Sequence, residues 1–132
     1  MNQEVHIYES VKFPENVCDM FADMVLQDIV LKDVFLFIAE RFQTKEYATI
    51  TTISENIVIS RRVGHREKKT LKYEVKNMNI ERKTTQKLVD QLYFMSLIYI
   101  QPKLPYKEIL LTPRGIQVVL RVTEKLKNKN SI

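Results

Sequence analysis

The sequence predicts a mainly α fold with a small β wing, extra helices ahead of the wing and a further helix behind it. Apolar residues recur at helical spacing in several stretches of the chain. Between the last two of these, a proline-bounded pair of β-rich segments reads as a hairpin. The 132 residues, 45% of them hydrophobic, suit a single domain, 1–132, with enough apolar side chains for a core.

Residues 1–13 are mixed, and Val5, Ile7 and Tyr8 suit a short strand or an arm lying on a partner. Pro14 fits the first turn of a helix, where its missing N–H costs nothing. Val17, Phe21, Met24 and Val25 then line one helix face to about residue 27. Asp28 is a break or an N-cap, after which Leu31, Val34, Phe35, Ile38 and Phe42 form a second helical face. Over 46–63 the chain becomes β-branched. YATITTI and IVISRRV read as two strands joined at Ser54-Glu55-Asn56; a continuous helix is the alternative, which Thr49, Thr51 and Thr52 disfavour.

Gly64 and His65 punctuate the chain. Thr70 then caps a short helix with Leu71, Val75 and Met78 inside, and Asn77-Met78-Asn79-Ile80 makes a turn. A longer helix spans about 81–96, with Thr85, Leu88, Val89, Leu92 and Met95 on its inner side. Strands over 97–100 and 107–111 flank a loop bounded by Pro102 and Pro105. Thr112 and Pro113 are a cap and a first-turn proline for a last helix to about residue 127, and the tail 128–132 is expected to fray.

Charge divides the chain. Residues 1–43 hold three basic and eight acidic side chains, a net −5, while 44–132 hold 18 basic and eight acidic, a net +10. The acidic helices of 1–43 are therefore expected to serve dimerisation or the docking of a protein partner. Residues 44–69 form a β-rich basic segment, 70–115 the working motif, and 116–132 the C-terminal helix and tail. A basic half points to a polyanion on that side of the molecule.

The order short helix, turn, longer helix, hairpin, helix is that of a winged helix-turn-helix. KTLKYEVKNMNIERKTTQKLVDQLYFMSLIYI, followed by ILLTPRG, resembles the DNA-binding part of the multiple-antibiotic-resistance (MarR-like) regulators. The resemblance covers about residues 66–120. It lies in Lys87-Leu88-Val89-Asp90-Gln91-Leu92, in Leu97-Ile98, and in Leu111-Thr112-Pro113-Arg114-Gly115 at the end of the wing. Glu81 stands where that family has a capping serine, and Asn79 where it has a turn glycine. The same stretch also resembles, more weakly, the TubR-type plasmid partition proteins.

The resemblance implies binding of double-stranded DNA, and the side chains suit it. A helix fits the major groove with its N-terminal residues at base edges. Arg82, Lys83, Thr84, Gln86 and Lys87 are types that read guanine, adenine or either. Lys103 and Lys107 flank the wing tip, over 101–107, for a minor-groove or phosphate contact. Arg66, Lys69 and Lys72, in the basic run that also holds Arg61, Arg62, His65 and Lys68, are expected on phosphates beside the helix start at Thr70. The expected protein is a homodimer, with Ile116, Val119, Leu120 and Phe21 as interface candidates, acting as a transcriptional repressor. A centromere-binding or replication adaptor of a plasmid or phage is the alternative, and a winged-helix protein–protein module is a third reading.

Other functions find little in the sequence. Cys18 is the one cysteine and reads as a core residue. His6 and His65 are far apart, and no metal-ligand spacing, nucleophile motif or phosphate-binding loop occurs; the only glycines are Gly64 and Gly115. No enzyme activity, cofactor or metal is expected. The opening residues carry no signal-type pattern and no stretch suits a membrane span, so the expected location is the cytoplasm.

Overall fold

The computed structural model describes residues 11–67 and 69–130. The chain is mainly helical, with two two-stranded antiparallel sheets. In order, the elements are α1 (Glu15–Gln27), α2 (Ile29–Thr44), α3 (Ile50–Asn56), β1 (Val58–Glu67), β2 (Thr70–Asn79), α4 (Arg82–Phe94), β3 (Ile98–Lys103), β4 (Tyr106–Leu111) and α5 (Pro113–Asn130). The suggested arm at Val5, Ile7 and Tyr8 lies outside the described residues, as do 131 and 132 of the tail.

The two N-terminal helices form where the apolar spacing predicts them. Pro14 sits at the N-cap of α1, and Asp28 caps α2 by accepting from the amides of Val30 and Leu31, both at 3.1 Å. Cys18, Ala22 and Val25 of α1 meet Leu31, Val34, Phe35 and Ile38 of α2 in the core. That core continues through Ile53, Ile57, Ile80, Val89, Leu92 and Leu97 to Ile109, Val118 and Val122. None of the described side chains of 58–79 belongs to it, although Ile57 and Ile80 on either side are buried.

Two acids of the acidic half are tied to the C-terminal helix. Asp19 of α1 pairs with Arg121 (2.9 Å) and Lys125 (2.8 Å) of α5, and Asp23 pairs with Lys125 (2.6 Å). Phe13 exchanges backbone hydrogen bonds with the Gln117 side chain, donating at 2.8 Å and accepting at 3.2 Å. The Arg114 guanidinium lies 4.9 Å from the Phe13 ring, which stacks on Phe21. Hydrogen bonds from Lys125 and then Arg121 hold the Asp19 carboxyl below its ordinary 3.8. A carboxylate favoured in this way supports folding fully above that ordinary value, and the support is lost as pH falls through the lowered one. Denaturant melts from about pH 6 to about pH 2 are therefore expected to show wild type more stable than Asp19→Asn, with the gap closing in acid. A gap that stays constant with pH would show that the pair does not hold α1 on α5.

Two sequence expectations fail between residues 46 and 80. Of the strand pair expected over 46–63, the second forms and runs on as β1, while the first is instead a helix, α3. Thr49 accepts from the Thr52 amide at 3.1 Å while the Thr52 hydroxyl accepts from the Thr49 amide at 2.8 Å. This reciprocal cap uses the threonines that argue against a helix interior. The short helix expected from Thr70 is strand β2, and Asn77, Met78 and Asn79 of the expected turn belong to that strand. Gly64 and His65 likewise lie inside β1, paired with Tyr73 and Lys72. Leu71, Tyr73 and Val75 alternate with Lys72, Glu74 and Lys76, which is strand spacing.

The C-terminal part follows the prediction closely. Ser96 (φ 65°) reverses the chain after α4, and the Leu97 amide reaches back to the Leu92 carbonyl at 3.1 Å with both side chains buried. The helix expected to about residue 96 therefore stops at Phe94. Strands β3 and β4 pair from Ile98–Leu111 to Lys103–Tyr106. Ala48, just ahead of α3, bridges to Ile109 and its carbonyl accepts from the Ile109 amide at 2.8 Å. Thr112 caps α5 by accepting from the Gly115 amide at 3.0 Å, and its hydroxyl donates to the Ser96 carbonyl at 2.6 Å. α5 then runs as far as Asn130, past the expected end near 127.

Candidate nucleic-acid interface

Helices α3 and α4 are successive helices packed through one apolar seam. Ile53 on α3 and Val89 and Leu92 on α4 are fully buried there. Thr85, also fully buried, donates its hydroxyl to the Glu81 carbonyl at 2.9 Å, so Ser54 on α3 is the donor across the 3.4 Å gap to Thr85. Glu81 occupies the N-cap of α4, but its side chain makes no capping bond. The start of α4 is fixed across the pair instead, because Arg82 donates to the Thr51 hydroxyl at 2.8 Å.

This packing turns the expected base-reading residues outward. Arg82, Lys83, Thr84, Gln86 and Lys87 are all exposed on the first turns of α4. Gln86 directs one amide proton to Asp90 at 2.9 Å, which steadies it on the same surface. An exposed helix face of lysines and an amide can donate hydrogen bonds to base edges and phosphates. At the far end, Tyr93 and Phe94 make an edge-to-face pair at 5.8 Å, and Phe94 is 82% exposed.

Lys103 and Lys107 lie on the β3–β4 hairpin at register positions opposite Tyr106 and Pro102. Lys103 leans back to within 3.9 Å of Glu108, while Lys107 is exposed. The tip itself is apolar: Leu104 is 96% exposed and Tyr106 half so.

Arg66, Lys69 and Lys72 are not brought to α4. They sit at the distal end of the β1–β2 ribbon, and the helix start at Thr70 expected to supply backbone donors does not form. At about 3.3 Å per residue, ten-residue strands carry this ribbon roughly 30 Å from its base. The base is anchored by the Ile80 amide on the Ile57 carbonyl (3.1 Å) and by Asn79, which donates to the Glu55 carbonyl at 3.1 Å. The ribbon thus occupies the connection between α3 and α4, and the turn expected at Asn77–Ile80 falls at its base. Sequence reasoning also missed Thr51 as a partner of Arg82, and Tyr73, whose ring lies 4.5 Å from the Arg62 guanidinium. The signal for Tyr73 was the alternation across 71–76.

Of the interface candidates, Ile116 (41% exposed) and Leu120 (66% exposed) line an apolar groove of about 450 Å³ with Leu36, Phe42 and Val119. Phe21 is spent inside the chain, against Phe13 and the core. Cys18 is buried, and burial pushes its thiol up. Among the described residues, no cluster of histidine, cysteine and carboxylates could hold a metal, and no helix is long and apolar enough to cross a membrane. Comparisons with family models, with curated proteins and with solved structures find no match.

Proposed function

We propose that this protein binds double-stranded DNA through a winged helix-turn-helix whose turn has been expanded into the β1–β2 ribbon. On this reading α3 and α4 are the helix pair, α4 enters the major groove, and the β3–β4 hairpin is the wing. The observation that carries the reading is the outward face of α4, where Lys83, Gln86 and Lys87 are exposed together next to a helix partner and ahead of a hairpin. The likeness to the MarR-like regulators is thereby confined to the stretch from α4 to Gly115, since the first helix that it implied over 70–79 is a strand. Selection of bound sites from a random DNA pool tests the proposal: an enriched sequence is expected, and a pool left unenriched would reject base reading.

The most economical role is a dimeric regulator that occupies an operator. One helix-turn-helix reads one half-site, and a two-fold pair reads two whose centres lie about one helical turn apart. The α2–α5 groove around Ile116 and Leu120 is the surface assigned to the second copy, because these are apolar side chains left exposed on well-packed helices. Leu120→Glu is expected to give a folded monomer in sedimentation velocity, with an unchanged far-ultraviolet circular dichroism spectrum and a melting temperature no longer dependent on protein concentration. Unchanged sedimentation of a dimeric wild type would move the interface elsewhere. The adaptor alternative offered the acidic N-terminal half as a docking surface, and two of its acids, Asp19 and Asp23, pair with α5.

A further inference from the structure

The β1–β2 ribbon stands outside the core as far as its described side chains go. None of its described side chains joins the core, every described side chain of β2 except Met78 is exposed, and its base rests on a few backbone and amide contacts. An isolated two-stranded hairpin is marginal in water, so a ribbon of this length is expected to have a surface to lie on. Its residues say what kind. Between 58 and 79 the sequence has seven basic and two acidic side chains, a surplus of five that equals the net charge of the whole chain. Two such ribbons would repel each other, and an anionic partner would attract both.

The pairing register separates the two faces. Arg62 and Arg66 share one face with Leu71, Tyr73 and Val75, since Arg62 pairs with Val75, Gly64 with Tyr73 and Arg66 with Leu71. Both acids, Glu67 and Glu74, hold positions of the other register set. The first face is therefore cationic and apolar with no carboxylate. It is also shaped: Tyr73 lies over Gly64, where an added Cβ would come within 3.1 Å of the ring, and Arg62 sits 4.5 Å from the same ring. Leu71, Tyr73 and Val75 are each more than half exposed along it.

We infer that this face is a second DNA-binding element, an arm that lies lengthwise on the duplex beyond the segment held by α4. The inference rests on the DNA reading above and extends it. Charge favours DNA over an apolar protein partner, and the ribbon is continuous with α4 through Ile80 and Glu81. The ribbon's length of roughly 30 Å is close to one helical turn of about 34 Å. One protomer would then cover about two turns where a helix pair and wing alone cover about one.

Full-length wild type, Arg62→Ala/Arg66→Ala and Lys83→Ala/Lys87→Ala would be titrated by fluorescence anisotropy against random-sequence duplexes of about 12 and about 24 base pairs, over a range of salt. Wild type is expected to bind the longer duplex more tightly than the doubling of sites explains. The arginine variant should lose that gain, and its salt slope should fall by about two, roughly a tenfold smaller loss of affinity between about 50 and about 200 mM salt. Arg62→Lys/Arg66→Lys should restore the slope. The lysine variant should bind more weakly but keep its preference for length. An arginine variant indistinguishable from wild type, beside a weakened lysine variant, overturns the arm, leaves the DNA reading standing and gives the ribbon face to a protein. Wild type that binds neither duplex in a salt-sensitive way overturns both. All four side chains are exposed, so melting temperatures should agree and separate lost binding from lost folding.

Discussion

Lys83→Ala/Lys87→Ala is expected to weaken binding to a selected DNA site about a hundredfold while leaving the fold intact. The two lysines are one helical turn apart on the exposed face of α4, and neither supports the packing against α3. That packing belongs to Thr85, Val89 and Leu92 on the opposite side. Each contact from such a residue to a base edge contributes about 1–3 kcal/mol of discrimination, and about 1.4 kcal/mol is tenfold in affinity. Anisotropy on the selected site gives the affinity, and far-ultraviolet circular dichroism gives the fold. Affinity within about twofold of wild type would mean that α4 does not read the DNA.

Gly115→Ala is expected to be the most damaging small substitution in the chain. A Cβ at that position would stand 2.0 Å from the Leu97 carbonyl oxygen and 3.0 Å from its carbon. Both are backbone atoms, so no side chain can swing aside. The same carbonyl accepts from the Thr112 amide at 3.1 Å, and Thr112 donates to Ser96 at 2.6 Å while capping α5 through Gly115. Relief of the clash requires α5 to move away from the end of α4 and give up this network. Overpacking against a fixed backbone with loss of buried hydrogen bonds costs about 3 kcal/mol or more. For a domain of this size that is a drop of about 10 °C in melting temperature, readable by circular dichroism. An unchanged melting temperature would show that α5 does not start so close to Leu97.

That network explains why the end of the wing was legible in the sequence. Leu111-Thr112-Pro113-Arg114-Gly115 combines a cap, a first-turn proline and the only residue small enough for the approach to Leu97, all within five positions. The helices α1, α2, α4 and α5 were legible for a similar reason, because each has an apolar face long enough to set its period. The outward face of α4 followed from the same periodicity. Residues 47–53 and 70–80 were misread because both signals there are short, while the strand read at 57–63 forms as part of β1. Seven residues of α3 hold only one buried side chain, Ile53, and its threonines act through the cap rather than through propensity. In β2, Leu71, Val75 and Met78 satisfy a helical spacing as well, and Tyr73 is the residue that decides for a strand. Arg66 and Lys69 were placed in a β-rich basic segment, and Lys72, expected on a helix, stands on β2. Linear sequence does not say that a two-stranded ribbon separates two helices that pack on each other.

The central claim is that a basic, outward-facing surface of this chain holds duplex DNA. Its most direct test is the affinity of the wild-type protein for duplex DNA as salt is raised. The account predicts that the logarithm of the binding constant falls linearly with the logarithm of salt concentration, with a slope of magnitude about four or more from Lys83, Lys87, Arg62 and Arg66. Binding that does not respond to salt, or no binding at low salt, would contradict it.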